Sequence, residues 1–205
     1  MKNIGTQDHF QMVQFIEEYR PHNRIRLVLW KCPHEGCFKC NTAGASRVNL
    51  GLCSAVFCVR NERGDLVEAG ARKLQDTTNI VAKASAIQDG LEYCISNHLV
   101  PVVIESDSLI MINIVEEIWD SPWKISVEVR KIKQWSNKGY VQFAHILREG
   151  IALADYLANM VFDFAGTIQI HSFQELPTAA RKILNSDKSA MPYIMHSTYK
   201  VRELD

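Results

Sequence analysis

The sequence predicts one α/β domain: a mixed five-stranded sheet, part antiparallel meander and part parallel, with helices packed on its faces. Three observations predict it. Residues 37–74 hold three strand-like runs separated by turn signals. From residue 79 onward, segments with helical periodicity alternate with short apolar runs. The resulting order, β-β-β-α-β-α-α-β-α, needs crossovers that helices on the faces of a sheet supply. At 205 residues, 47% of them hydrophobic, the chain is long enough to bury such a core.

Each element rests on a local pattern. Residues 37–43 read as a first strand, followed by a turn stretch at 44–49. Residues 52–60 (LCSAVFCVR) are almost continuously apolar, as in a strand covered on both faces. Asn61, Glu62, Arg63, Gly64 and Asp65 give a hairpin signal, and 66–74 returns as the third strand. Thr78 is placed to cap a helix over 79–97, where Val81, Ala84, Ile87, Leu91 and Cys94 recur at steps of three and four. Residues 101–105 read as a short buried strand, with Ser106 capping a helix over 107–118. Ile125, Val129 and Ile132 predict a helix over 125–135, and 139–145 alternates as a strand. Leu153, Leu157 and Val161 mark a last helix over 150–164. Residues 1–29 read as a polar N-terminal extension with a short helix near 8–18, 30–165 as the domain, and 166–205 as a tail of irregular structure with one short helix.

Composition excludes some classes. Lys+Arg and Asp+Glu balance at 23 each, so no whole-molecule field draws the chain to nucleic acid, and any such surface is a local patch. No apolar run reaches eighteen residues, and the first twenty residues lack a signal-peptide pattern. An intracellular protein, nuclear or cytoplasmic, with no membrane contact and monomeric, is expected. Its six cysteines are then thiols. Cys32, His34, Cys37 and Cys40 are close enough to suggest zinc, but the spacing fits no common finger and no second ligand pair follows.

Acids fall where chemistry is expected. Asp107 stands where a strand meets a helix, at the carboxyl edge of the sheet, where open α/β sheets place ligands. Asp155 stands in the first turn of the last helix. On spacing alone both read as helix-start acids favoured by the dipole.

Several motifs shift that reading. Trp30, Pro33 and Gly36, followed by Lys39, Asn41, Ala43 and Gly44, resemble the W-x-x-P-x-x-G…K-x-N-x-D-G opening of plant type 1 ribonuclease H-like domains, which are related to plant non-LTR retrotransposons. Arg60 and Gly64 resemble the family's first hairpin, I-R-D-x-x-G. Ala82, Lys83 and Ala86, then Gly90 and Leu91, resemble A-E-x-x-A…G-L. Glu105, Ser106, Asp107 and Ser108 resemble E-T/S-D-S, and residues 145–158 resemble H-x-x-R-E-x-N-x-x-A-D-x-L-A. The motifs fall in order across about residues 30–165, and the tail at 174–193 is similar to the family's extension.

The resemblance implies a ribonuclease H-like fold, RNA–DNA hybrids as partner, and hydrolysis of the RNA strand by two Mg²⁺ ions about 4 Å apart. The family holds them with a D-E-D-D carboxylate set. Those positions here are Ala43, Lys83, Asp107 and Asp155, and His145 matches a proton-relaying histidine. Ala43 offers no side-chain oxygen, and Lys83 puts an ammonium where a carboxylate should bind metal, so catalysis is expected to be impaired. The lysine could stand in for a metal beside the aspartates. Glu105 is the candidate spare metal ligand beside Asp107 and Asp155; Asn41 is a weak substitute, and Asp89 lies on nearly the opposite helix face from Lys83. Ile151 stands where the family has Asn, which puts polar contacts around Asp155 in doubt.

Binding can outlast cutting. Lys124, Arg130, Lys131, Lys133 and Trp135, with Trp123 and Lys138 nearby, form a basic aromatic segment where some ribonucleases H carry a substrate handle. Read without the resemblance, it is an amphipathic helix with a solvated basic face. An active nuclease with an atypical site, and a non-catalytic interaction module or retroelement remnant, are the competing readings.

Overall fold

The computed structural model describes residues 22–47 and 51–199. The helix expected near 8–18 lies outside them. The chain divides into two compact units, the larger being Val28–Tyr193. Apart from it, β1 (His22–Val28) pairs with β8 (Tyr193–Tyr199) in a two-stranded sheet.

In the larger unit β2 (Phe38–Ser46), β3 (Gly51–Arg60) and β4 (Leu66–Thr77) form the expected meander. Its hairpin closes as Asn61 Oδ1 accepts the backbone N–H groups of Arg63 and Asp65, with Gly64 at φ +75°. Then come α1 (Asn79–Ser96), β5 (Val102–Ser106), α2 (Leu109–Val115), α3 (Ser126–Ser136), β6 (Val141–His145), α4 (Ala152–Met160), β7 (Ile168–Ile170) and α5 (Thr178–Lys188). The sheet order is β6-β5-β2-β3-β4-β7, with β2–β5 and β5–β6 parallel.

Period-two alternation sends β2 and β3 side chains to two separate cores. Cys40 and Val59 join Ile87, Leu91, Ile104, Met111, Val129 and Ile132 on the face covered by α1, α2 and α3. Ala43, Val56 and Cys58 join Leu153, Leu157, Leu176, Ala180 and Leu184 under α4 and α5. The contact of α1 with the sheet is unusually close. A Cβ on Gly44 would sit 2.7 Å from the backbone nitrogen of Lys83, and one on Gly90 would sit 2.7 Å from Cys40 Sγ. Glycine at these positions lets the α1 backbone approach the sheet.

Five expectations change. Among the described residues the sheet has six strands, because Ile168–Ile170 adds an edge to β4 through Ala69, Gly70 and Ala71. The compact unit does not stop at 165. Leu176, Ala180 and Leu184 complete the α4 core, the last two from α5, the short helix expected in the tail. The last helix is shorter than 150–164 and is flanked by 3-10 turns at Arg148–Ile151 and Val161–Asp163. Thr78 is the N-cap residue of α1, but its hydroxyl is buried and makes no cap bond. Ser108, not Ser106, caps α2: its Oγ accepts the Met111 N–H at 3.3 Å, while Ser106 Oγ accepts the N–H of Ser108. The helix therefore starts after Asp107, leaving that residue in the bend with its carboxylate free of capping duty.

Candidate functional site

The site grows from strand register. Thr42, Ser106 and His145 lie side by side across β2, β5 and β6. One residue further along come Ala43, at the α4 face, and Asp107, at the carboxyl edge. The close approach at Gly44 brings the start of α1, with Lys83, against this edge. The 3-10 turn Arg148–Ile151 leads into α4 and sets Asp155 in its first turn.

The two aspartates are each occupied by a cation. Lys83 Nζ donates to Asp107 Oδ1 at 2.9 Å, and both side chains are only 17% exposed. Arg148 donates to Asp155 Oδ1 through Nε at 3.1 Å and Nη2 at 2.8 Å. The hydrogen bond to Asp155 holds the Arg148 guanidinium above its ordinary range, and the charge of Asp107 adds to the shift. The four side chains thus share one electrostatic site in which two positive charges meet two negative ones. His145 ends β6, exposed. Ile151 is fully buried in the α4 core, where a family asparagine would bring a polar side chain.

Glu105, expected as a spare metal ligand, serves another network, because Asn41 is its direct partner in the parallel β2–β5 ladder. Its Oε2 accepts Asn41 Nδ2 at 2.7 Å and its Oε1 meets Lys39 Nζ at 2.7 Å. Asn41 Oδ1 in turn accepts Trp30 Nε1 and Arg60 Nη2. The guanidinium of Arg60 lies 3.6 Å from the Trp30 ring centroid, and its Nη1 donates to Asp187 of α5 at 2.6 Å. Tyr193 donates to the other oxygen of Asp187. Trp30, Lys39, Asn41 and Arg60, quoted above as motif residues, therefore form a buried polar staple that fastens α5 beneath β2 and β3. Asp89 is held bidentate by Arg72 and offers the site nothing.

These donors do not fit a two-magnesium centre. Ala43 supplies no oxygen, one carboxylate faces an ammonium, and the other faces a guanidinium, where Mg²⁺ needs several oxygen ligands around one point. Among the described residues no group of three or more His, Cys, Asp or Glu converges as a metal site. That covers the zinc suggestion too: Cys40 is buried in the α1 core, while Cys32 is exposed.

The basic segment is divided by the fold. Lys124, Arg130 and Lys131 are exposed. Lys133 is paired with Glu117 at 2.6 Å, and Trp135 is half-buried against the α1 core with Lys138 Nζ 3.9 Å from its ring centroid. Sequence reasoning missed Arg148 as the partner of Asp155 and Arg60 as the centre of the staple. An arginine closing an otherwise apolar run was the available signal for the second. Among the described residues no helix is long and apolar enough to cross a membrane.

A mixed sheet whose central strand carries an antiparallel meander on one side and parallel strands on the other, with a carboxylate-bearing edge facing the start of α4, defines the ribonuclease H-like class of α/β domain. Residues 41–161, more than half the chain, match the family described as reverse transcriptase-like, and the chain belongs to that family. An Arabidopsis thaliana protein named for ribonuclease H is 28% identical over 200 residues, covering 91% of this chain and 32% of that protein. The chain thus spans about a third of that relative's length. Ribonuclease H1 of the halophilic archaeon Halobacterium salinarum matches with a TM-score of 0.59 at 22% identity, over 62% of this chain and 98% of its own. LC11-RNase H1, isolated from compost and crystallised with an RNA/DNA hybrid, matches with a TM-score of 0.57 at 24% identity, over 62% and 96%. The fold is the ribonuclease H-like fold that the motifs implied.

Proposed function

We propose that this chain is a ribonuclease H-like domain that binds nucleic acid, RNA–DNA hybrids first among it, without cutting the RNA strand. One observation carries the reading: Lys83 Nζ lies 2.9 Å from Asp107 Oδ1, where the family's chemistry needs an oxygen-lined cation site. The ammonium neutralises the carboxylate, but it cannot lower the pKa of a bound water as a divalent ion does. Arg148 treats Asp155 in the same way. Exposed Lys124, Arg130 and Lys131 remain available to phosphates.

The test is a labelled RNA–DNA hybrid incubated with Mg²⁺ or Mn²⁺ and either the native chain or the double variant Ala43→Asp, Lys83→Glu. The native chain should bind in a salt-dependent way and leave the RNA intact, and the variant should cleave. Metal-dependent cleavage by the native chain, abolished by Asp107→Asn, would overturn the proposal. So would absence of hybrid binding at low salt.

A further inference from the structure

The segment from α2 to α3 exposes more aromatic surface than phosphate binding calls for. Trp123 is 81% exposed, Ile118 62%, Val127 56% and Trp119 51%. Their backbone is nevertheless held. The N–H groups of Ile118 and Trp119 both donate to the carbonyl of Asn113, at 2.8 and 3.1 Å. Glu117 takes a left-handed turn at φ +62°, and its carboxylate is tied to Lys133. Trp123 opens a 3-10 turn whose other end, Ile125, is fully buried, and its carbonyl accepts Ser126 Oγ at 2.9 Å. Two indoles thus stand in water on an anchored frame.

Charge decides what could cover them. Residues 116–138 carry five lysines and arginines against four acids, and with Lys133 paired to Glu117 the positive charge beside the indoles is that of exposed Lys124, Arg130 and Lys131. Lys124 Nζ is 5.7 Å from the Trp123 ring centroid. On α3, Val127, Arg130 and Lys131 fall at steps of three and four, which puts them on one side of the helix, and Trp123 stands in the 3-10 turn just before it. An anionic partner with flat apolar faces suits this surface. In a duplex the base faces are stacked inside, and what is offered outward is phosphates, sugars and base edges. In an unpaired strand every base has a free π-face, and stacking on aromatic side chains beside a basic track is the usual way of holding it.

We infer that this surface takes an unpaired nucleic-acid strand, with bases stacked on Trp119 and Trp123 and phosphates on Lys124, Arg130 and Lys131. The inference rests on the proposed reading in so far as the domain binds nucleic acid. It differs from it in assigning the two indoles to single strands, while the three cations serve the phosphates of single strand and hybrid alike.

The test uses the full chain and three labelled probes: oligo(U), oligo(dT) and an RNA–DNA hybrid of equal length, measured by fluorescence anisotropy and by quenching of indole emission. The variant Trp119→Ala, Trp123→Ala should lose about tenfold or more in affinity for both single strands, together with most of the quenching, while hybrid binding stays near the native value. The variant Lys124→Ala, Arg130→Ala, Lys131→Ala should weaken all three probes and flatten their salt dependence. All of these side chains are exposed, so unchanged thermal melting confirms that both variants are folded. Hybrid binding with no single-strand binding, or single-strand binding indifferent to loss of the two indoles, overturns this inference and leaves the proposed function standing. Single-strand binding without hybrid binding supports it and overturns the hybrid reading. No binding of any probe overturns both.

Discussion

Replacing Lys83 by methionine tests whether the site is held by its own internal cation. Methionine keeps most of the apolar stem and removes the charge. Nζ and Oδ1 are 2.9 Å apart, and at the effective dielectric of a protein surface two unit charges at that distance attract by about 6 kcal/mol. Most of this is offset by lost hydration, since both side chains are 17% exposed and largely out of water. The pair lies between an exposed bridge, worth about 0–1 kcal/mol, and a fully buried one, whose breaking costs about 3–5 kcal/mol. Arg148 also acts on Asp107 and moderates the loss. We expect Lys83→Met to destabilise the fold by about 1–3 kcal/mol, or about 3–10 °C in Tm for a chain of this size. The assay is urea unfolding of the native chain, Lys83→Met, Asp107→Asn and the double variant, read as a cycle. A coupling of about 1–3 kcal/mol supports the reasoning, and a coupling below about 0.3 kcal/mol refutes it. None of these variants should cut a hybrid, because Ala43 still offers no oxygen.

Three further outcomes follow from the packing. Asp187→Ala strands the fully buried guanidinium of Arg60, and urea denaturation should show a loss of about 3–5 kcal/mol; a loss under 1 kcal/mol would mean that the staple is dispensable. Gly44→Ala drives a Cβ to 2.7 Å from the Lys83 backbone nitrogen, and a drop of about 1–3 kcal/mol in thermal or urea unfolding is expected as α1 is pushed off β2; an unchanged midpoint would refute the close contact. Burial pushes the Cys58 thiol up to about 12 in the folded chain, so its contribution is complete below the ordinary thiol pKa and is lost as pH rises from there through about 12. Cys58→Ala should therefore make the fall of stability with rising pH between 9 and 11 shallower by up to about 1.4 kcal/mol per unit, and an unaltered slope would remove this thiol as a cause.

Much of the fold was legible because periodicity reports burial. The steps of three and four in Val81–Cys94 became α1, and the apolar run ending at Arg60 became the central antiparallel strand β3. Less was legible where pairing depends on partners far along the chain. Ile168–Ile170 is too short to show alternation, and it is a strand because Ala69–Ala71 offers an edge. Thr78 and Ser106 carry the right side chains for caps, yet the hydroxyl of one is buried without a partner and that of the other serves Ser108. At the site, the four aligned positions were readable, and so was the possibility of a lysine meeting an aspartate. That Glu105 joins Lys39 and Asn41, and that Arg148 takes Asp155, depends on strand register and on a 3-10 turn that local sequence does not encode. The motif residues Trp30, Asn41 and Arg60 illustrate the same limit. They came into view through resemblance to a nuclease family, but here they hold α5 to the sheet.

On the proposed reading, the loss of chemistry and the retention of binding have a common physical cause. Four carboxylates converging on one point repel one another and repel an incoming phosphate, and divalent ions relieve both repulsions. The same ions that activate water would then also admit the substrate. In this chain Lys83 and Arg148 relieve the repulsion from within, since each sits on one of the two aspartates. The four paired side chains present a phosphate with no net negative charge of their own. Active sites commonly hold destabilising arrangements such as converging carboxylates, and replacing them tends to favour stability over activity. On the proposed reading, Ala43 and Lys83 are therefore not independent defects. Alanine removes the acid that would have to bridge two ions, and lysine supplies the positive charge that those ions would have brought, without the open coordination sites that made them catalysts.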